Sequence, residues 1–220
     1  IGKELSIHRT MIRTIYLIIL IYFALGGAGF YIINRNKTPE AARANYVKFG
    51  TYFLIINLLF FSIVFNTLAF RILALLIIIA GFVELSILFV RSGRAHVAFF
   101  TLTVLVYSAL SVMSFFFGYQ DKGIILFAFL VLSIFDSFSQ ITGQLWGRHK
   151  LVPRISPGKT WGGLLGGTLI SLLSACLLRS LVNETVPGTI ILTVGIISMA
   201  FVGDLLLSIY KRRYNVKDFN

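Results

Sequence analysis

Residues 154–178 read RISPGKTWGGLLGGTLISLLSACLL, and the reading of the first half decides the fold. Gly158-Lys159-Thr160 suggests the phosphate-binding loop of a soluble nucleotide-binding domain, yet everything after Trp161 is apolar enough to lie in lipid. The phosphate-loop pattern G-x-x-x-x-G-K-[ST] needs a glycine at 153, where the chain has Pro153, and a strand before it, which this sequence does not predict. The soluble reading fails. What remains is a membrane helix with a polar start, in which Ser156 is the N-cap, Pro157 takes the first helical position, and Lys159 and Thr160 fall in the first turn. Such a start offers free N–H groups and positive dipole to an anion, and Lys159 adds a full charge. The following Gly162, Gly163, Gly166 and Gly167 make two overlapping G-x-x-x-G patterns, a close-packing face for a neighbouring helix.

The rest of the chain agrees with lipid as its solvent. Of 220 residues, 57% are hydrophobic and 13% charged, and the mean hydropathy is +0.89. A soluble domain of this size needs far more polar surface. Seven apolar runs, at about 11–33, 47–66, 70–90, 97–117, 123–143, 162–182 and 187–209, are each near the length a helix needs to cross a bilayer. The expected architecture is all-α, a polytopic transmembrane bundle of about seven spans forming one domain over 1–220. The second and third runs are joined by the short Asn66–Arg71 turn and predict a hairpin. The lone Cys176 excludes an intrachain disulfide and reads as a core thiol. No cleavable signal peptide is expected, because the first apolar run is too long for one. The chain opens on Ile1 and stops at KRRYNVKDFN without a closing element, so a further C-terminal segment is expected.

Seven spans place alternate loops on opposite sides, which sorts the twenty basic residues. One side takes fourteen, including Lys37, Arg94, Arg148, Lys159, Lys211, Arg212, Arg213 and Lys217. The other takes six: Lys3, Arg9, Arg13, Arg71, Lys122 and Arg179. The richer face is expected to be cytoplasmic, with the N-terminus outside. The net charge of +12 is therefore largely one face. Topology and attraction to anionic headgroups explain much of it. Nucleic acid is not an expected partner, since no soluble binding module is present.

Three of the eight acidic residues, Glu84, Asp136 and Asp204, lie inside apolar runs, where an ionisable group marks function by default. Glu84 precedes Arg91 by seven residues, Asp136 precedes Gln144 by eight, and Asp204 precedes Lys211 by seven. At 1.5 Å per residue, all three sit roughly 10–12 Å below one boundary and could line one cavity, while Glu84 reads equally well as a protonated or hydrogen-bonded packing residue. Asp136 lies in FDSFSQITGQ, with Ser137, Ser139, Gln140 and Thr142 adding polar groups, and Asp204 lies in VGDLLLS. Carboxylates aimed into a polar cavity suit Mg²⁺, which takes oxygen ligands and brings phosphates with it. Lys211, Arg212, Arg213 and Lys217 follow Asp204 as a cationic rim.

These residues resemble the phosphatidate cytidylyltransferase (CDP-diacylglycerol synthase) family. Its signature S-x-[apolar]-K-R-x-x-x-x-K-D is matched in spacing by Ser208, Ile209, Tyr210, Lys211, Arg212, Lys217 and Asp218, with Tyr210 departing at the apolar position. The family's upstream S-P-K-K-T-x-E-G is similar to Ser156-Pro157-Gly158-Lys159-Thr160-Trp161-Gly162-Gly163, with Gly158 in place of a lysine and Gly162 in place of a glutamate. The similarity covers about residues 130–220. In the family, H-G-G and D-R-x-D segments follow, and they are expected beyond Asn220.

The resemblance implies a nucleotidyltransferase of phospholipid biosynthesis that joins CTP and phosphatidate into CDP-diacylglycerol and pyrophosphate. Carried over residue by residue, Asp204, Lys159 and Lys211 are the expected catalytic groups. Ser156, Thr160, Arg212, Lys217 and Asp218 would bind substrate, and Asp204 and Asp136 would hold Mg²⁺. It implies a multi-pass protein of a bacterial inner membrane with a cytoplasmic site, and leaves a homodimer open. Two other readings stand beside it: a CTP-dependent polyprenol or lipid kinase, and an ion-coupled transporter using the three acids as a path. No paired halves with broken helices accompany the transporter reading.

Overall fold

The computed structural model describes residues 2–215, with residues 2–11 described by their helical backbone alone. Seven long helices account for most of them: α1 (Gly2–Asn34), α2 (Pro39–Phe65), α3 (Thr67–Arg91), α4 (Val97–Phe117), α5 (Lys122–Trp146), α6 (Trp161–Leu178) and α7 (Val186–Arg213). Each is long and apolar enough to cross a membrane, α1 through Ile12–Asn34 and α6 with the short turn Arg179–Leu181 that extends it. The protein is a multi-pass helical membrane protein. Between α5 and α6 lie two short strands, β1 (Lys150–Val152) and β2 (Ser156–Thr160), paired antiparallel.

The helix starts follow from short polar side chains at the connections. Thr38 accepts from the Ala41 N–H at 3.4 Å with Pro39 behind it, Asp121 accepts from Gly123 at 2.7 Å, and Thr185 from Gly188 at 3.3 Å. Asn66 alone separates α2 from α3. Its N–H closes α2 onto Ser62 at 3.0 Å while its side chain caps α3 at Leu68, also at 3.0 Å.

Contacts at the two ends sort the loops as the charge count predicts. Lys37 donates to Gln144 at 3.0 Å, Arg212 to the Ile155 carbonyl at 3.2 Å, and Tyr214 to the Ala95 carbonyl at 3.5 Å. These tie loop 35–38 to the end of α5, and loops 92–96 and 147–160 to the end of α7, so all three lie at one end of the bundle. At the opposite end Arg71 donates to Gly118 at 3.0 Å and stacks on Tyr119.

The core centres on α5. Its Ile125, Phe127, Leu130, Val131 and Phe135 pack against Ile15 and Ile19 of α1, Phe60 and Ile63 of α2, and Ala175 and Leu178 of α6. The α5–α6 contact is the tightest. A Cβ built on Gly166 would lie 2.7 Å from Thr142, and one on Gly167 would lie 2.8 Å from Ser139. The glycine stripe is a packing face, and it lets α6 seat directly on the α5 backbone. A smaller cluster joins α7 to α3, where Tyr210 and Tyr214 bury against Leu85 and Leu88. Tyr210 donates to the Leu85 carbonyl at 2.8 Å, which explains a tyrosine where an apolar residue was expected.

Two expectations are corrected. Helix α6 does not begin at Ser156-Pro157: residues 156–160 are extended, and Thr160 is the cap, accepting from the Gly163 N–H at 3.1 Å. The later start lets the helix begin with the apolar run and keeps Pro157 and Gly158 out of its first turn. The hairpin also adds two strands to an otherwise helical chain, with the Trp161 N–H closing on the His149 carbonyl at 3.1 Å.

Because Gly167 seats directly on Ser139 of α5, Gly167→Leu is expected to destabilise the bundle by about 1–3 kcal/mol through overpacking. Thermal unfolding in detergent should show the drop, whereas Leu169→Ala on the exposed face of α6 should leave the midpoint nearly unchanged.

Candidate active site in an amphipathic cleft

A cleft of about 760 Å³ opens between α2, α5, α6, α7 and strand β2. Its floor is α5, where Phe129, Leu132, Ser133, Asp136, Ser137 and Gln140 follow the three-to-four spacing of a helix face and Phe135 and Ser139 flank it. Although α5 is the most buried helix, Leu132 and Asp136 on this stripe are exposed. The floor changes character along its length, from apolar at Phe129 and Leu132 to mostly polar from Ser133 to Gln140, where Phe135 is the one apolar lining residue. The eleven steps from 129 to 140 span about 16 Å of depth. Tyr52, Ile55, Ile56 and Leu59 of α2 continue the apolar end, and Ser156, Gly158, Lys159 and Thr160 of β2 cover the polar one.

Asp136 of α5, Asp204 of α7 and Lys159 of β2 line this cleft together. Lys159 Nζ lies 2.9 Å from Asp204 Oδ2, the only ion pair among the described residues. It also lies 5.9 Å from the centre of the Phe201 ring, one turn earlier on α7. Asp136 stands within the field of both Lys159 and Asp204. With 30% and 48% of the two side chains exposed, the Lys159–Asp204 pair is partly hydrated. It contributes on the order of 1 kcal/mol, so Lys159 can leave Asp204 for a stronger anion.

The other expected site residues divide. Ser156 and Thr160 line the cleft, but the Thr160 hydroxyl is engaged as the α6 cap and its side chain is buried. Lys211 and Arg212 are not among the lining residues. Arg212 instead donates to Ile155 in the hairpin turn, fastening the strand that carries Lys159 to the end of α7. Lys217 and Asp218 lie outside the described residues. The expectation that Glu84 joins the other two acids is corrected. It sits on an exposed face of α3, away from the cleft and within electrostatic reach of Tyr107. A common depth does not fix which way a helix face turns.

Gly162 explains itself sterically. A Cβ there would lie 2.9 Å from the Trp146 carbonyl oxygen and 3.3 Å from Gly147 Cα. The end of α5 thus occupies the space a longer side chain would need. Sequence reasoning missed the apolar half of the cleft altogether. Only the spacing of 129, 132, 133, 136, 137 and 140 could have shown it.

Fold and site together define a class: a polytopic membrane protein with a charged pocket graded into an apolar one. The chain belongs to the cytidylyltransferase family, whose description matches residues 6–220. Relatives named phosphatidate cytidylyltransferase include one from Haemophilus influenzae, 34% identical over 106 residues, covering 46% of this chain and 37% of that protein. One from Staphylococcus saprophyticus is 42% identical over 96 residues, covering 43% and 37%. A third, from Staphylococcus epidermidis, is 38% identical over 125 residues, covering 55% and 48%. The matched stretches thus span less than half the length of these relatives. No solved structure gives a significant match.

The corrected helix start makes a direct forecast. Thr160→Ala should lower stability by about 1 kcal/mol, as loss of an N-cap does, while Ser156→Ala should leave it unchanged. Parallel melting curves of the two variants check this; equal losses would return the cap to Ser156.

Proposed function

We propose that this chain carries the cytidylyl-transfer site of an enzyme that joins CTP and phosphatidate into CDP-diacylglycerol and pyrophosphate. The observation that carries the reading is the graded stripe of α5. It puts Asp136 at the junction of a polar pocket that holds Lys159 and Asp204 and an apolar trough, the polarity profile of a lipid phosphate meeting a nucleotide. The names of the relatives point to the same reaction. A phosphate oxygen of phosphatidate would attack the α-phosphorus of CTP, and the bond from that phosphorus to the β-phosphate oxygen would break, releasing pyrophosphate. Both partners are anionic, so the work is alignment and neutralisation of charge.

The donors present fit Mg²⁺. Asp136 and Asp204 face one cleft with Ser137, Ser139 and Gln140 beside them, an all-oxygen set. No group of three or more His, Cys, Asp or Glu side chains converges among the described residues. That suits a cation that takes one or two carboxylates and completes its shell with water and substrate phosphates. Bound there, Mg²⁺ would neutralise phosphate charge and favour departure of pyrophosphate. Lys159 would hold phosphate oxygens from β2, and Ser156 would add a hydroxyl at the same wall. Arg212 would keep the hairpin in place, and Lys211 would contribute positive potential at the rim. The site would face the cytoplasm of a bacterial inner membrane, the side to which the loop order assigns the larger share of basic residues and on which CTP is present.

In the full-length protein, Asp204→Asn should abolish Mg²⁺-dependent CDP-lipid formation while leaving the melting temperature within a degree or two of wild type. Lys159→Ala should raise KM for CTP or phosphatidate about tenfold, matching the loss of one charge-assisted contact. Full turnover by Asp204→Asn would overturn the metal assignment, and unchanged kinetics in Lys159→Ala would reduce Lys159 to a structural clasp.

A further inference from the structure

A second cavity lies on the other side of the same wall. It is a narrow slot between α1, α2 and α5, lined by apolar side chains that include Ile18, Ile19 and Phe23 of α1, Phe49 of α2, and Ile134 and Ile141 of α5. On α1 the lining runs from Ile18 to Phe30, about 18 Å along the helix, so the slot is long and thin. It adjoins the cleft: Tyr52, Ile56, Ser133, Ser137 and Gln140 line both cavities, so slot and cleft border one another at the level of Asp136. Gly26 faces the slot from α1, and a Cβ there would meet only Phe49 and Ile141 at van der Waals distance, 3.6 and 3.8 Å.

Two apolar compartments therefore diverge from one polar junction. The first is the lower cleft, past Leu132, Phe129 and Leu59; the second is the slot. We propose that the slot is an acyl-chain subsite, and that the two compartments take the two hydrocarbon tails of a diacyl lipid phosphate whose headgroup sits at Ser137, Gln140 and Asp136. The inference rests on the lipid-phosphate reading above and adds where the tails go. The slot is too narrow and too apolar for a nucleotide or a sugar. A hydrocarbon chain needs no hydrogen-bond partners there and gains burial along its whole length. The side chains at the deep end, Ile18 and Ile19, would then set how long a chain fits.

The test uses the full-length protein in vesicles with phosphatidate carrying a photoactivatable diazirine on one acyl chain. Crosslinks are expected on the peptide spanning residues 18–30, suppressed by excess unlabelled phosphatidate and not by phosphatidylcholine. Equal suppression by both would overturn the proposal, because it would mark ordinary bilayer contact with α1. A second arm substitutes Ile18→Trp to shorten the slot. The ratio of kcat/KM for dipalmitoyl over dioctanoyl phosphatidate should fall about tenfold with KM for CTP unchanged, as expected when a pocket rejects a few methylenes. An unchanged ratio would also overturn it. If the wild-type protein makes no CDP-lipid at all, the reaction assigned above fails; phosphatidate-specific labelling of residues 18–30 would still support the slot.

Discussion

Everything in the site depends on how closely α6 can approach α5. Gly163, Gly166 and Gly167 face Ser139, Thr142 and Gly143, and the helices meet through their backbones. Ser139 is the neighbour of Gln140 and lies three residues from Asp136, so this contact fixes the strand leading into α6 directly above the polar stripe. Lys159 is on that strand. A larger residue at 166 or 167 would lift the hairpin and its ammonium off the carboxylates. The glycines that first suggested a nucleotide loop thus act one layer removed from any phosphate.

The membrane sets the second constraint. A charge in hydrocarbon must be paired, hydrated or displaced towards the interface. Asp204 is paired with Lys159, and both share a wide cleft with Asp136, so all three charges retain water and one another. Helix α5 meets the same constraint by being the centre of the core on three sides and the floor of an open trough on the fourth. Its exposed stripe turns apolar with depth, as the surroundings do. An amphiphile lying along it would find its own polarity matched at each level.

Much of this was legible in the sequence, and the failures are instructive. Seven spans follow from apolar windows alone, and the two ends of the bundle follow from the basic residues. The start of α6 did not, because Ser156-Pro157 and Thr160-Trp161 are both competent caps and only the onset of the apolar run separates them. Asp136 and Asp204 were correctly brought together by their depth, which brought Glu84 in wrongly, since depth carries no information about helix rotation. Lys159 was legible as a cation but not as the partner of Asp204. Arg212 was legible as a cation but not as a donor to a hairpin that was not foreseen. The apolar half of the cleft and the slot were invisible, because a leucine facing a cavity and a leucine facing lipid read alike in a membrane helix.

The central claim is that the cleft transfers a cytidylyl group to a lipid phosphate. The most direct measurement follows labelled phosphorus from CTP in the purified full-length protein with phosphatidate vesicles and Mg²⁺. Label at the α-phosphate should move into the organic-extractable lipid, while label at the γ-phosphate should leave in water-soluble pyrophosphate. Recovery of γ-label in the lipid, with α-label remaining on a soluble nucleotide, would contradict the assignment and make the protein a kinase.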